Sequence, residues 1–276
     1  MNDNKDSTGP NDLSVVLARE EALVILRLLN VSTIPGLGDE PIPNLTDEQQ
    51  AIGLIVAERT LRARGLATLN SEGRLLIQRP ILEMLGTCAY ADQSLHVTRM
   101  AAPAGGVMQL ITHQRAGAWV LHTRPDEVLH AFQRLGDWAE TLARLADLCR
   151  WPRESSGADI RLTVGAQTLS AARDLATGGQ LEQAEQQLIG DNNHPDAVKA
   201  LVTLLAAPHL VTVVQRVRIE SADSLSLQSV TVLHSDQELL VAVEPGRAES
   251  DENGLITIQS TSADGLDRLL TGMVNC

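Results

Sequence analysis

The feature that most constrains how this chain can fold is an order of elements that it uses twice. Residues 81–86 read as a short helix, three apolar strands follow at 94–100, 107–113 and 118–123, and a further helix is predicted at 125–135. The same order returns with a helix at 195–206, strands at 210–220, 226–234 and 238–243, an extra strand at 255–260 and a helix at 262–273. A strand and a helix also stand in front of each copy. Leu13, Val15 and Leu17 lead into a helix at 19–30, and residues 160–164 lead into one at 167–176. The alternation of apolar and polar residues marks strands with one face in a core. Short connections make the meander antiparallel, which places the chain in the α+β class.

The punctuation between these elements is specific. Pro35, Gly36, Gly38, Pro41 and Pro43 forbid a helix through 31–45. Thr46 is then a suitable N-cap for a helix running to Arg64, with Ile52, Ile55, Val56, Thr60 and Leu61 on its apolar side and Gly65 as its C′ residue. Turn residues at 70–73 join two short strands into a hairpin. Helices are predicted at 138–149 and, in a Gln-rich stretch, at 181–189. The Pro/Ser/Gly-punctuated segment 150–157 marks the boundary between halves. The expected organisation is a disordered tail at 1–11, an N-terminal half at 12–150 with a winged-helix-like segment at 46–80, and a C-terminal half at 158–276 forming one continuous domain with the first.

Composition removes several function classes. The 276 residues are 43% hydrophobic but only 2% aromatic, so few rings are left to stack on bases or sugars. A net charge of −13 repels phosphate backbones and disfavours nucleic acid as a partner of the whole protein. Cys88, Cys149 and Cys276 are odd in number and far apart, which supports neither a disulfide framework nor a zinc knuckle. The polar N-terminus lacks an apolar leader, no apolar run approaches the length of a membrane span, and a cytoplasmic protein is expected.

No catalytic constellation emerges. GxSxG, HExxH and GxxxxGK are all absent. His96, His113 and His122 sit on successive strands and His209 and His234 in comparable places of the second copy, but no acidic residue accompanies them at fixed spacing. They are expected to face solvent, with neither a metal nor a cofactor bound. The pairs Glu20/Glu21 and Asp126/Glu127 fall at helix starts, where they oppose the helix dipole without catalysing anything. Two surfaces remain. Arg59, Arg62, Arg64 and Arg74 follow the helix, turn and hairpin order of a winged-helix DNA reader, though arginines at a helix C-terminus also serve the dipole. The loop 101–106, between Met100 and Met108, is longer and more apolar than a tight hairpin needs and suits a partner surface.

REEALVILRLLN at 19–30, ERTLRARGLA at 58–67, EGRLLIQRPILEML at 72–85, the strands after it and the duplicated second half together resemble the EspG family, cytosolic chaperones of ESX (type VII) secretion. The resemblance implies a quasi-two-fold fold with a central antiparallel sheet flanked by helical bundles. It also implies binding of a protein client with an apolar helical tip, of the PE/PPE or WXG kind. By position, the family's partner contacts fall on Met100, Pro103, Val107 and Met108, and on Leu225 and Leu227 in the second half. The reading is therefore a non-enzymatic, EspG-like chaperone or adaptor. The alternatives are a winged-helix regulator using the arginines above and a structural interaction domain without a secretion role.

Overall fold

The computed structural model describes residues 13–38, 45–102, 105–154, 160–189, 193–221, 224–236, 238–243 and 254–275; the tail at 1–11 and Pro103 lie outside them. The first half runs β1 (Ser14–Ala18), α1 (Arg19–Leu28), α2 (Asp47–Ala63), β2 (Ala67–Leu69), β3 (Leu75–Ile77), α3 (Arg79–Ala89), β4 (Gln93–Ala102), β5 (Val107–Arg115), β6 (Ala118–Thr123), β7 (Leu129–Leu135) and α4 (Trp138–Cys149). The second runs β8 (Arg161–Gly165), α5 (Ala166–Thr177), α6 (Leu181–Leu188), α7 (Pro195–Ala206), β9 (His209–Ser221), β10 (Ser224–His234), β11 (Leu239–Val243), β12 (Leu255–Ser260) and α8 (Ala263–Asn275). Ten strands are hydrogen-bonded in the order β1-β7-β6-β5-β4-β9-β10-β11-β12-β8, and β2 and β3 form a hairpin of their own. Read inward from either edge, the order is the same. The fold is α+β and duplicated, as its element order predicts.

The duplication extends to single hydrogen bonds. Ser14 stands opposite Gln133 and Ala18 opposite Leu129, just as Arg161 stands opposite Gln259 and Gly165 opposite Leu255. Arg19 N–H donates to the Val128 carbonyl at 3.2 Å where Ala166 N–H donates to that of Gly254 at 3.0 Å. Arg134 N–H reaches the Leu13 carbonyl at 2.9 Å, and Ser260 N–H that of Ile160 at 2.8 Å. In both edge strands the alternation buries the same two positions, Val15 and Leu17 in β1, Leu162 and Val164 in β8.

One predicted element is overturned, and the correction completes the repeat. Residues 125–135 are not a helix; Leu129–Leu135 is strand β7, the counterpart of β12. Pro125 and two acidic residues resemble a helix start, but the Asp126 carboxylate instead closes a turn, accepting from Val128 N–H at 2.9 Å and Leu129 N–H at 2.7 Å. Behind it His130, Phe132 and Leu135 are buried. The strand at 255–260 is thus no addition to the second copy.

Helix α2 shows what its sequence specifies and what it does not. Thr46 Oγ1 accepts from Gln49 N–H at 3.3 Å while Gln49 Oε1 accepts from Thr46 N–H at 2.9 Å, a reciprocal cap that satisfies two otherwise orphaned donors. Gly65, at φ +72°, ends the helix in the left-handed region. The apolar side expected to face the core does not. Leu61 and Ala57 are buried, whereas Ile52, Ile55 and Val56 each keep more than half of their surface exposed. Small Ala57 and Gly53 let α2 approach its neighbours along a different line from the one its largest residues trace.

Tertiary contacts divide the residues into two units. The first runs to Leu95 and takes in Leu110–Ala143 and Arg218–Ser224. Its core joins Val15, Leu17, Ile25, Leu26, Leu61, Ile81, Leu85 and Phe132. The second comprises His96–Gln109, Arg144–Val217 and the residues from Leu225 onward. Its core joins Leu162, Val164, Leu188, Val198, Leu201, Leu205, Leu240 and Ile258. Among the described residues no helix is long and apolar enough to cross a membrane.

Candidate functional site

In the second unit, β4 and β5 project an apolar tip. Met100 and Val107 are exposed, Val107 at 61%, and Met108 is half-buried. The tip is held narrow at Gly105, where a Cβ would come within 2.4 Å of the Ala101 Cβ and 3.0 Å of its carbonyl oxygen. Directly beside it opens a cavity of about 880 Å³. Ala101 and Ala102 form one wall, Ala200 and Leu204 of α7 another, and Pro208 and Leu210 a third, with Asp196, Lys199 and Glu238 among the charged groups lining it.

Two buried imidazoles line the cavity. His209 Nδ1 lies 2.9 Å from the Ala207 carbonyl, and His234, 1% exposed, has its pKa lowered to about 4 by burial first and by the neighbouring Arg99 charge second. Arg99 donates to the Leu148 carbonyl at 2.6 Å. Cys149, also buried, is pushed up to about 12 by desolvation and is a packed thiol rather than a nucleophile.

Leu225 and Leu227 are exposed at 67% and 58%, but they stand at the far end of β10 from this cavity. The Ile219 N–H bonds the Asp92 carbonyl at 3.2 Å, next to the start of β4, whereas the cavity takes the end of β4 and the start of β9. A strand the length of β9, 13 residues, spans roughly 40 Å, so the two sets of leucine and methionine positions do not converge. In the repeat they are equivalent tips, one on β4–β5 and one on β9–β10.

The four arginines are mostly engaged within the chain. Arg64 Nη1 lies 2.6 Å from Glu21 Oε2 and its Nη2 donates to the Val16 carbonyl at 2.7 Å. Arg62 pairs with Glu58 at 3.7 Å and Arg74 with Glu72 at 3.2 Å, while Arg59 is exposed. The Arg64 contact is not visible in sequence, because Glu21 lies 43 residues away and has the position of an ordinary first-turn carboxylate.

Of the strand histidines expected to face solvent, His113, His122, His209 and His234 are instead buried, each 4% exposed or less, and His96 is half-buried; His130 on β7 is buried with them. His122 Nε2 and His130 Nδ1 lie 2.9 Å apart, and His122 stacks on Phe132 with ring centroids 4.5 Å apart. A neutral imidazole satisfies one donor and one acceptor, so it tolerates the interior where a charged one would not. Burial is the first cause in both, lowering His122 to about 3 and His130 to about 4. Among the described residues no three His, Cys, Asp or Glu side chains are grouped to hold a metal ion.

No family model and no curated protein sequence matches the chain. Among solved structures, it is similar to the type VII secretion system chaperone EspG5 of Mycobacterium tuberculosis, determined in complex with a PE25–PPE41 dimer. Identity is 11%, the match covers 92% of this chain and 93% of that one, and the TM-score is 0.60. This chain therefore has an EspG-like fold.

Proposed function

We propose that the protein is a non-enzymatic chaperone or adaptor that holds a helical protein client of a type VII-like secretion system in the cytoplasm, at the β4–β5 tip and the cavity beside it. The observation that carries the reading is the exposed Met100 and Val107 adjoining a cavity of about 880 Å³, in a fold similar to that of a chaperone solved with its PE–PPE dimer. Burial of an apolar helical tip stabilises such a complex at roughly 25 cal/mol per Å², and an interface of ordinary size removes roughly 1,600 Å² from water. The engagement of Arg64 with the buried Glu21 carboxylate and the Val16 carbonyl weighs against the winged-helix reading.

The test is co-purification of the tagged protein from its own cytoplasm, with half of the sample nuclease-treated, followed by mass spectrometry. A near-stoichiometric helical protein unaffected by nuclease supports the proposal, and its loss in a Met100→Asp/Val107→Asp variant assigns it to this tip. Loss in Leu225→Asp/Leu227→Asp instead would move the contact to the other tip. Recovery of nucleic acid alone would reject the chaperone reading.

A further inference from the structure

Glu48, Ile52, Ile55, Arg59 and Arg62 follow one another along α2 at spacings of four and three residues, which aligns them on one side of the helix. All five are exposed. Ile52 and Ile55 keep 54% and 53% of their surface and Val56 beside them 53%, while the helix buries Ala57 and Leu61 on its other side. Single exposed apolar residues are ordinary, but a contiguous seam on one helix asks for a partner.

The seam is complementary to its own reverse. Asp47 and Glu48 occupy the first turn, Arg59 and Arg62 follow its apolar middle, and Ile55 lies midway between Glu48 and Arg62. We propose that this seam is a self-association surface, with α2 of one copy packing antiparallel on α2 of a second copy about a two-fold axis at Ile55. Ile55 then meets its own counterpart, and Ile52 packs beneath the aliphatic stem of an Arg59. Each Glu48 faces an Arg62 some 21 Å along the helix from the other such pair. Opposed helix dipoles add to the match, and every contact occurs twice, as a closed two-fold interface requires. The Arg62–Glu58 pair is long, at 3.7 Å, and both side chains are about 40% exposed, so it yields readily to a closer carboxylate. Another protein would also find the isoleucines, but only a copy of this chain presents the same charges in reversed order. One helix pair is a small interface, so the dimer should be weak, on the order of micromolar.

The experiment is sedimentation velocity of the full chain from low to high micromolar concentration, in a Cys276→Ser background. Wild type should pass from monomer to dimer. Ile55→Glu, at an exposed position, should stay monomeric with unchanged circular dichroism. Glu48→Arg and Arg62→Glu should each weaken dimerisation tenfold or more, and their combination should restore it, which a merely disrupted surface cannot do. Ile55→Cys should cross-link to itself under mild oxidation, whereas Leu225→Cys should not. A wild type that is monomeric at every concentration overturns the proposal, as does a dimer indifferent to Ile55→Glu or a charge swap that fails to rescue. None of the α2 variants touches either apolar tip, so their result is independent of client binding.

Discussion

The two outer strands, β1 and β8, share register, burial pattern and edge position, yet their exposed edges are covered by different chemistry. An unpaired edge invites another strand to add to it. In β1 the outward carbonyl of Val16 is taken by Arg64, whose guanidinium is fixed by the buried Glu21 carboxylate, and Glu21 also accepts from Ala18 N–H at 2.9 Å. At the equivalent residue of β8, Thr163, the Asn193 carboxamide reads the backbone in both directions, its Oδ1 accepting from the N–H at 3.2 Å and its Nδ2 donating to the carbonyl at 3.4 Å. Asn193 Nδ2 also reaches the Leu188 carbonyl at 3.0 Å. The repeat thus keeps what the pleat dictates and lets the neighbouring helices decide the rest. In the first half the residue at the end of α2 supplies a cation; in the second, the residue two before the start of α7 supplies a neutral amide.

Acidification should separate the two units most. The first holds His122 and His130, lowered to about 3 and about 4, and the second holds His234, lowered to about 4, and His96, which burial also lowers. Around the first pair Arg124 and Arg19 oppose protonation while Asp126 and the Pro35 backbone favour it; around His234, Arg99 and His209 oppose it while Asp236 and the Cys149 backbone favour it. These imidazoles are neutral when folded and take up protons near 6.5 when unfolded, so the unfolded chain binds more protons. Their contribution to stability is complete above about pH 6.5 and declines as pH falls toward 4 and then 3. The first unit, whose two such groups lie 2.9 Å apart and would have to charge in contact, should loosen first. Fluorescence of the Trp119–Trp138 pair, 5.1 Å between centroids, reports on it, and hydrogen exchange around Trp151 reports on the second. If His122→Gln/His130→Gln leaves the transition between pH 6.5 and 5 where it was, the pair is not its cause.

Breaking the charged edge comes next. Arg64→Ala strands the Glu21 carboxylate, 3% exposed, and uncovers the Val16 carbonyl. Arg64 itself is 40% exposed, which discounts the full cost of splitting a buried pair to about 2–3 kcal/mol. The shift in urea midpoint measures it. Adding Glu21→Gln should recover a large part of that loss; a double variant no better than the single one would mean that the carbonyl contact, and not the ion pair, carries the effect.

Much of this frame is legible in the residues and part of it is not. The alternation in β1 and β8, the Thr46 cap and the Gly65 terminator follow from local chemistry, and the structure has them where the pattern puts them. Strand β7 was obscured because its inward positions are His130 and Phe132, and a histidine counted as polar breaks the period that a neutral, buried imidazole in fact preserves. The stripe on α2 reads as core-facing because periodicity gives a face without giving its direction. The cavity has no sequence signal, since its walls come from β4, α7 and β9, and neither the opposite placement of the two apolar tips nor the edge contacts can be read before the strands are paired.

The neutral edge gives the smallest and most discriminating test. Asn193→Ala removes three hydrogen bonds at a partly solvated site, where water can replace much of what is lost, so stability should fall by only about 1 kcal/mol. Its larger consequence lies in association, because Thr163 N–H and C=O would then be presented together on an open edge. Light scattering of the variant should rise with concentration more steeply than that of wild type, while Arg64→Ala, which leaves α2 beside its strand, should show the opposite balance of more instability and less association. Asn193→Asp sharpens the point. It keeps an acceptor for the Thr163 N–H but turns a carboxylate toward the Thr163 and Leu188 carbonyls, so a cap that works in both directions should suffer more from Asp than from Ala. If Asp behaves as wild type, the N–H contact alone protects the strand; if Ala changes neither stability nor scattering, β8 is protected by its shortness and the two edges differ in kind.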